Sequence, residues 1–391
     1  MSTFPYRRLG DLIEDVSERN RSLQCTDVYS VTNSQGFIPS EDYFNKKVFS
    51  KDLSNYKLVR QGMFAYNPSR INVGSIAWLK DMSCVAVSPL YVVFRIKEAD
   101  ILPSWVEYFL RSNVGRAQIR GLTSGSVRDS LKYSALERIE LPIAPIEVQR
   151  DIVANLSALE QSIKTCETLL EKMNELIKSQ FVEMFGDPVT NPKGWETVKI
   201  ADALIIEPQN GLYKPQSDYV HDKSGIPILR IDGFYEGKVS NWLVLKRLKC
   251  TKEEIQKYLL HEGDIVINRV NSIEHLGKCA HISNLHEPTV YESNMMRMHF
   301  DPTRFNPVYI TRLLCTQYIY NQIINHSKKA VNQASINQKD VMDFNIYHPP
   351  LALQNEFAAF VEQADKSKLV LRQLLEKQKT LKAALMQEYF F

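Results

Sequence analysis

The chain has 391 residues and a formal net charge of +3, with 44% hydrophobic and 24% charged residues. This ordinary globular composition excludes a disordered tail protein and a fibrous repeat protein. The length predicts two or three domains, each large enough to bury a core. No apolar stretch reaches the ~18 residues that a membrane helix requires, so we expect no membrane partner. The near-neutral total charge gives no sign of a polyanionic partner either.

The six cysteines are widely scattered, and none of them form a CxxC pair. The first eight residues lack the apolar core of a secretion signal. Both observations are typical of a protein from the reducing cytoplasm. We therefore predict six free thiols, at Cys25, Cys84, Cys166, Cys250, Cys279 and Cys315.

Four segments of the chain recur about 200 residues later, in the same order. Pro145 and Gln149 are repeated as Pro350 and Gln354, and a long helical pattern follows each pair. The other anchors lie upstream: 61–67 resembles 262–268, 101–110 resembles 305–314, and 124–128 resembles 329–333. Chance similarity of short apolar strings does not preserve order and spacing. The sequence therefore predicts a duplication, in which each copy is one globular domain plus one long helix, with pseudo-two-fold symmetry.

The first long helix is predicted over 147–185 and is stopped by Gly186, Asp187 and Pro188. Its apolar residues alternate steps of four and three, which is the 3.5-residue period of a coiled coil. At ~1.5 Å per residue the helix forms a rod of roughly 55–60 Å. The seam consists of Ile152, Leu156, Leu159, Ile163, Cys166, Leu170, Met173, Ile177, Gln180 and Met184.

The second long helix is predicted over about 353–389, with a wider and less regular apolar stripe. The chain crosses a whole domain between the two helices, so an antiparallel pair is the simplest arrangement. The alternative is that each helix packs on an unrelated protein. The stripe consists of Phe357, Phe360, Val361, Ala364, Leu371, Leu374, Leu375, Leu381 and Leu385.

The segment before each helix mixes short strands with amphipathic helices. Strands are predicted at 85–87, 90–96 and 264–267, and helices at 105–119 and 307–324. The fold class is therefore α/β (α+β). Its parts are a domain over 1–145, a helix over 146–186, a second domain over 187–350 and a second helix over 351–391. The segments 1–145, 146–190, 191–350 and 351–391 carry +4, −4, +2 and +1, so an acidic helix masks two mildly basic domains.

Motifs of catalysis are missing from the sequence. There is no phosphate-binding loop, no dinucleotide fingerprint and no HExxH. Asn67, Pro68, Ser69 and Arg70 begin like the Asn-Pro-Pro-aromatic motif of adenine methyltransferases, but the second proline and the aromatic ring are absent. A zinc site built from His275, Cys279, His281 and His286 fits no standard spacing. We predict no catalytic residue, metal site or cofactor in this chain.

Polar and basic loops occupy matching places in both copies, and a further loop at 209–214 belongs to the second copy only. Arginine reads guanine, asparagine and glutamine read adenine, and serine and lysine hold phosphates. The alternative is that these are solvated turns, since Asn, Ser and Gly are turn residues. The candidate DNA contacts are Asn67, Ser69, Arg70, Asn72, Ser126 and Arg128 in the first copy, and Tyr213, Lys214, Arg269, Asn271, Ser272, Lys328, Lys329, Asn332 and Gln333 in the second.

The whole chain resembles the specificity subunits of type I restriction-modification enzymes. The resemblance rests on the two-copy layout, the two long helices and several short motifs. These are Gly74-Ser75, 87–91, 126–128, 141–145 with Gln149, 185–188, 191–195, and Pro349-Pro350 with Gln354. Each motif is weak alone, but together they cover nearly all of the chain.

The resemblance implies two target-recognition domains, each reading one half of a split, asymmetric site on double-stranded DNA. It implies that the two helices form an antiparallel coiled coil that spaces the domains. It also implies two modification subunits, which use S-adenosylmethionine to methylate adenine, and restriction subunits with ATP- and Mg-dependent translocase and nuclease activity. The competing interpretations are an assembly scaffold or orphan protein without specific DNA readout, and a stand-alone enzyme.

Overall fold

The computed structural model describes residues 4–33, 35–44, 50–123, 130–329 and 333–390. The chain forms two compact units, which are made of 1–168 with 372–391 and of 169–371. Each unit therefore contains one globular domain together with part of both long helices. Among the helices in the described ranges, none combines the length and apolar character needed to cross a lipid bilayer.

The described residues of the first unit's globular part form ten short strands and four short α-helices, and the first long helix follows them. The strands are β1 Tyr6–Arg8, β2 Ile13–Asp15, β3 Tyr29–Thr32, β4 Gly36–Pro39, β5 Lys57–Arg60, β6 Phe64–Tyr66, β7 Ile76–Trp78, β8 Cys84–Val87, β9 Val92–Ile96 and β10 Glu140–Pro142. The helices are α1 Ser40–Phe44, α2 Pro103–Arg111, α3 Asn113–Leu122, α4 Tyr133–Leu136 and the long α5 Ile146–Phe185.

The second unit repeats these elements and adds strands. The strands are β11 Thr197–Lys199, β12 Leu204–Asn210, β13 Tyr219–Val220, β14 Ile226–Leu229, β15 Phe234–Tyr235, β16 Gly237–Val239, β17 Arg247–Leu248, β18 Ile265–Asn268, β19 Val270–Asn271, β20 Cys279–His281, β21 Val290–Tyr291, β22 Met295–Phe300, β23 Lys328–Lys329, β24 Ala334–Ser335 and β25 Asn345–Tyr347. The helices are α6 Lys252–Tyr258, α7 Pro307–Leu314, α8 Gln317–His326, α9 Gln338–Met342 and the long α10 Leu351–Phe390.

The main sheets of the two units have the same strand order. In the first unit the order is β2-β9-β6-β7, and all neighbouring pairs are antiparallel. In the second unit the order is β12-β22-β18-β20, and β16 and β15 extend that sheet at one edge. A separate antiparallel pair, β1 with β10 or β11 with β25, closes each domain next to its long helix. The mixed α/β fold and the duplication predicted from the sequence are both present.

Two helices predicted from the sequence are each divided into two. The helix predicted over 105–119 is α2 followed by α3, and the helix predicted over 307–324 is α7 followed by α8. The break in the first unit falls at Ser112, whose hydroxyl accepts a hydrogen bond from the backbone N–H of Gly115 at 3.1 Å. Gly115 packs against the preceding helix, where a Cβ atom would come within 2.2 Å of the Phe109 carbonyl oxygen. Apolar periodicity continues across this corner and therefore hides it.

Within the first unit, α5 and α10 pack antiparallel. Lys382 pairs with Glu160 at 2.7 Å, and Lys379 pairs with Glu167 at 2.9 Å. The residue numbers rise along α5 as they fall along α10, so the two helices run in opposite directions. Gln378 lies between them and donates a hydrogen bond to the Ser162 hydroxyl at 2.6 Å. The end of α10 is anchored in the domain core, because the ring of Phe390 lies 4.7 Å from that of Trp105.

Within the second unit, the same two helices also run antiparallel. Lys368 donates a hydrogen bond to Asn174 Oδ1 at 2.8 Å, while Phe185, eleven residues later in α5, packs on Phe357, eleven residues earlier in α10. Phe185 also contacts the ring of Tyr309 at 4.6 Å and so anchors the end of α5 in this domain. The antiparallel arrangement predicted from the sequence is thus present in each unit.

The predicted seam residues differ in burial. Ile152, Leu156, Ile177, Phe357 and Val361 are 5% exposed or less, and Leu159, Ile163, Leu170, Met173, Leu371 and Leu385 are half-buried. Leu374 does not occupy the seam, because it is 44% exposed and Leu375 is buried instead. The seam of α10 keeps the alternation of four and three only when polar residues such as Lys368 and Gln378 are counted in it. The predicted stripe therefore includes Leu374 wrongly, because this residue lies one position away from the seam.

The cysteines do not all remain free thiols. Cys25 and Cys84 form a disulfide, which corrects the sequence-based expectation. Cys84 begins β8, and Cys25 lies in a loop that the buried Asn20 fixes by bonding to the Cys25 backbone N–H and carbonyl. The fold brings together two residues that are 59 positions apart, so their spacing in the sequence gave no signal. Cys166, Cys250, Cys279 and Cys315 are free.

Candidate nucleic-acid interface

A small sheet in the second unit joins two of the predicted loops. Its strand order is β19-β24-β23, and both pairs are antiparallel. Asn271 pairs with Ala334, and Lys328 pairs with Ser335. The described parts of two loops that lie about 60 residues apart in the sequence, 268–272 and 327–329 with 333–335, are therefore joined in one sheet.

An equivalent backbone hydrogen bond joins the two loops in each unit. The N–H of Ile336 donates to the carbonyl of Arg269 at 3.0 Å, and the N–H of Leu131 donates to the carbonyl of Pro68 at 3.0 Å. In the first unit the hydroxyl of Tyr66 reinforces this junction by donating to the Leu131 carbonyl at 3.1 Å. The two units thus build the same two-loop platform, which we call the loop platform. Among the described residues, it comprises 67–72 with 130–131 in the first unit, and 268–272 with 327–329 and 333–336 in the second.

The first unit's loop is organised by Asn67. Its side-chain oxygen accepts a hydrogen bond from the N–H of Ser69 at 3.0 Å, which forms a tight turn at the end of β6. Ser69 and Arg70 are exposed on this turn, and Asn72 is half-buried. Ser126 and Arg128, the candidates of the second loop, lie outside the described residues.

In the second unit the candidates differ in how firmly they are held. The Arg269 guanidinium donates to the Ser293 carbonyl at 3.2 Å, and the Asn271 side chain accepts a bond from the N–H of Ser272 at 2.8 Å. Lys328 and Gln333 are exposed. The backbone of Lys329 belongs to β23, but its side chain and Asn332 lie outside the described residues. The platform therefore presents Lys328 and Gln333 to solvent and keeps Arg269 and Asn271 in fixed conformations.

The third predicted loop is partly strand. Gln209 and Asn210 are the last residues of β12, so only the residues after them form a loop. Tyr213 is 78% exposed, as expected for a side chain available for stacking. Lys214 is instead held between Glu254 at 2.8 Å and Asp218 at 3.5 Å. The hydrogen bond to Glu254 raises the pKa of Lys214, and this pairing gives the ammonium group a structural role in the loop.

Asn268 is a polar residue of the platform that was not among the candidate contacts. It ends β18, is completely buried, and neither its amide nitrogen nor its amide oxygen has a hydrogen-bond partner among the described residues. A buried amide without partners is costly, and such groups mark positions where a ligand or water completes the bonding. The repeat itself offered the signal, because Asn268 matches Asn67 at the offset of 201 residues.

No metal centre is found in the described part of the chain, where no three His, Cys, Asp or Glu residues approach closely enough to share an ion. Of the residues considered for a zinc site, Cys279 lies against another cysteine, Cys315, with their sulfur atoms 3.4 Å apart. The remaining chemistry of the platform is hydrogen bonding and positive charge. That combination suits recognition of a polar, anionic polymer and contains no nucleophile–base pair.

Comparison with known proteins gives a consistent family. Residues 192–380 match the family model of the type I restriction modification DNA specificity domain. The specificity subunit of the type I restriction enzyme EcoKI from Escherichia coli is 25% identical over 277 residues, which are 67% of this chain and 58% of that protein. The putative MjaX specificity subunit from Methanocaldococcus jannaschii is 30% identical over 200 residues, which are 51% of this chain and 46% of that protein. The matches thus span about half to three fifths of these curated relatives.

Two solved structures share the fold along almost the whole chain. A type I restriction-modification S subunit from M. genitalium aligns with a TM-score of 0.63 at 11% identity, covering 100% of this chain and 96% of the other. A chain from a study of assembly and conformational transition of the type I restriction-modification system aligns with a TM-score of 0.57 at 18% identity, covering 99% and 97%. At these identities the likeness establishes the architecture alone.

Proposed function

We propose that this chain is a non-catalytic DNA-recognition subunit of the type I restriction-modification family, because residues 192–380 match the model of that family's DNA specificity domain and the EcoKI specificity subunit is 25% identical over 277 residues. Each globular domain reads one half of a bipartite, asymmetric site on double-stranded DNA. The observation that carries this proposal is the loop platform, which both units build with the same backbone bond, Leu131 to Pro68 and Ile336 to Arg269. Two equivalent platforms provide two reading surfaces in one chain.

The asymmetry of the proposed site follows from the residues on the two platforms. At the repeat offset of 201, Arg70 of the first unit matches Asn271 of the second, and Pro68 matches Arg269. Arginine pairs best with guanine and asparagine with adenine, so equivalent positions favour different bases. Two half-sites of different sequence are expected, and a palindrome is not.

The long helices serve as the spacer in this proposal. The 40 residues of α5 lead without interruption from the first domain to the second. A helix of that length spans ~60 Å, compared with ~34 Å for one turn of duplex DNA. Base pairs without contacts are therefore expected between the half-sites. Removing one heptad around Leu170, with the matching heptad of α10, should change the number of these base pairs, and an unchanged number would contradict the spacer role.

The chemistry of the complex resides in other chains. We propose two modification subunits as partners, which bind S-adenosylmethionine and methylate adenine, together with restriction subunits that use ATP and Mg²⁺. This chain itself takes no cofactor and acts in the cytoplasm, where its DNA target lies. The scaffold role accords with the exposed apolar side chains along the helices, such as Leu169, Leu176, Leu369 and Leu381, which leave surface for helical partners.

The decisive experiment is sequencing of methylated adenines in the genome of the source strain, with and without this gene. We expect one bipartite, asymmetric motif that disappears on deletion and returns on complementation. A continuous palindromic motif would contradict the proposal. Co-purification with modification subunits, without retention on any specific duplex, would instead support an assembly scaffold without DNA readout.

A further inference from the structure

Two free cysteines of the second unit lie in contact although they are 36 residues apart. The sulfur atoms of Cys279 and Cys315 are 3.4 Å apart. Cys279 belongs to β20 and is completely buried, whereas Cys315 follows the last residue of α7 and is exposed as a residue, with its sulfur packed inward against that of Cys279. Neither residue belongs to the loop platform, and the proposed DNA recognition gives the pair no role.

A cleft of about 310 Å³ in the second unit has Cys315 in its wall, whereas the completely buried Cys279 does not line it. Cys315 lines the cleft together with three basic side chains, Arg312, Lys278 and Lys178, and two acidic ones, Glu236 and Glu274, so the charges around the cleft nearly balance. A small polar oxidant such as hydrogen peroxide fits easily into this volume. Cys315, which lines the cleft, is thus the cysteine that peroxide reaches first, and Cys279 contacts it from the interior of the domain.

The surroundings assign different roles to the two thiols. The hydrogen bond with Cys279 and the nearby Arg312 guanidinium lower the pKa of Cys315 and outweigh the opposing effect of burial. The same hydrogen bond, together with burial, raises the pKa of Cys279. Because the thiolate is the nucleophile in thiol oxidation, Cys315 is the residue that attacks and Cys279 the residue that resolves.

We propose that Cys279 and Cys315 form a redox-active dithiol, which hydrogen peroxide converts into a disulfide within the second unit. The Cys315 thiolate attacks one peroxide oxygen and releases hydroxide, which leaves a sulfenic acid on Cys315. The Cys279 sulfur then attacks the Cys315 sulfur, and the sulfenic oxygen leaves as water. In total, two thiols and one peroxide give one disulfide and two waters, with two electrons passing from sulfur to oxygen.

The geometry requires only a small movement. The sulfur atoms must approach from 3.4 Å to the ~2.05 Å of a disulfide bond. The cross-link would tie β20 to the corner between α7 and α8. Cys279 is the strand partner of Ile267, and the loop platform begins at the next residue of β18, Asn268. Oxidation would therefore stiffen the strand pair that carries this platform.

The first unit has no equivalent of this pair. At offsets of 201 and 204, the matching positions are Trp78 and Arg111. The proposed oxidation is therefore confined to one of the two copies. It does not depend on the proposed DNA recognition, since bond formation is measured on the isolated chain.

The test uses the full chain with Cys25→Ser and Cys84→Ser, so that four free cysteines remain. The protein is treated with hydrogen peroxide, quenched with catalase, unfolded, alkylated and mapped by mass spectrometry without reduction. We expect two of the four thiols to be lost, one new peptide pair linking Cys279 to Cys315, and full recovery of both thiols with dithiothreitol. If the serine variants fail to fold, the same mapping on the wild-type chain distinguishes this link from the Cys25–Cys84 bond.

Two further variants make the result specific. In Cys315→Ser, Cys279 should stay fully alkylatable after peroxide, because the attacking thiol is gone. In Cys166→Ser, the link should form as in the parent, because Cys166 lies in α5 and has no cysteine partner in the described residues. The proposal is overturned if Cys279 stays alkylatable in the parent chain, or if Cys315 is oxidised to the sulfinic acid without forming the link.

Discussion

Gln149 and Gln354, 205 residues apart, make the same three hydrogen bonds in the two copies of the repeat. Each lies in the first turn of a long helix and is completely buried. Gln149 accepts a bond from the N–H of Leu102 at 3.0 Å and donates to the carbonyls of Asp100 at 3.0 Å and Ala144 at 2.8 Å. The Gln149 side chain thus connects the first turn of α5 to the segment between β10 and α5 and to the segment that precedes α2.

Gln354 repeats this pattern in the second unit. It accepts from the N–H of Asn306 at 2.8 Å and donates to the carbonyls of Arg304 at 3.0 Å and Pro349 at 2.8 Å. A glutamine is required because the site needs an acceptor and two N–H donors on one planar group. The two glutamines hold each long helix at a defined angle to its own domain.

The first prediction concerns the stability of this joint. Gln149→Ala leaves the Leu102 N–H and two carbonyl groups without partners in a buried site. Because unsatisfied buried groups are expensive, we expect the free energy of unfolding to fall by about 2–4 kcal/mol. Chemical denaturation of the full chain measures this loss. The control is Gln161→Ala, an exposed glutamine of the same helix, and an equal effect of the two variants would contradict the role of Gln149.

The second prediction concerns acid sensitivity. Burial in the sheet of the second unit lowers the pKa of His281 from 6.5 to about 4. Below pH 6.5 the imidazole of His281 is therefore protonated in the unfolded chain but stays neutral in the folded chain until the pH approaches 4. The stability contributed by the neutral ring is present above pH 6.5 and is lost as the pH falls towards 4, by up to about 3 kcal/mol.

His281→Gln removes this proton uptake. Between pH 7 and pH 5 the wild-type chain should lose about 2 kcal/mol more unfolding free energy than the variant. Denaturant titrations at the two pH values provide the comparison. His286→Gln, at an exposed position, should keep the wild-type dependence, and a variant of His281 that loses stability as steeply as the wild type would refute the assignment.

The sequence predicted the architecture because duplication and heptad spacing are long-range patterns that survive in a single chain. Pro145 and Gln149 recur at one offset, and the structure places them in the same contacts as Pro350 and Gln354. The corner at Ser112 escaped prediction because the apolar period of α2 continues into α3. Apolar periodicity indicates which face of a helix is buried, but it does not indicate where the helix axis changes direction.

The candidate site was predictable only in outline. The loops were recognised by composition, but their convergence depends on strand pairing between residues such as Asn271 and Ala334. Lys214 looked like a phosphate ligand, and only the structure revealed its ion pairs with Asp218 and Glu254. Partners that lie far apart in the sequence, such as Cys25 and Cys84, leave no local trace.

The third prediction tests a polar layer in the helix pair of the second unit. Lys368 is only 5% exposed, donates to Asn174 at 2.8 Å and pairs with Asp365 at 3.2 Å. Asp365 also pairs with Lys238 of the domain. Asp365→Ala deprives the buried ammonium of its carboxylate, so we expect a loss of about 1.5–3 kcal/mol of unfolding free energy.

A second substitution separates this cause from a general disturbance. Lys368→Met in the Asp365→Ala background replaces the buried ammonium, which has lost its ion pair with Asp365, by an apolar side chain of similar length, and it should recover most of the loss. The exposed pair of Lys366 and Glu362 offers the control, since Glu362→Ala should leave the free energy of unfolding nearly unchanged. No recovery in the double variant would mean that Asp365 acts through Lys238 alone.

The fourth prediction links the first unit's platform to sequence readout. Arg70 is exposed on the turn that Asn67 organises. If its guanidinium reads a base, Arg70→Ala should weaken binding of the assembled complex to its target duplex by about 1–3 kcal/mol, or roughly 5–150-fold. The loss should be confined to one half-site, so that altering the other half-site still reduces affinity as in the wild type.

Salt dependence distinguishes base reading from phosphate binding by the same residue. A lost phosphate contact lowers affinity for all duplexes alike and reduces the slope of log affinity against log salt by about 1, whereas a lost base contact leaves that slope nearly unchanged. The matched control is Arg120→Ala, an exposed arginine of α3 outside the platform. Target sequence and affinity that are unchanged in Arg70→Ala, or changed equally in Arg120→Ala, would remove the first unit's loop from the reading surface.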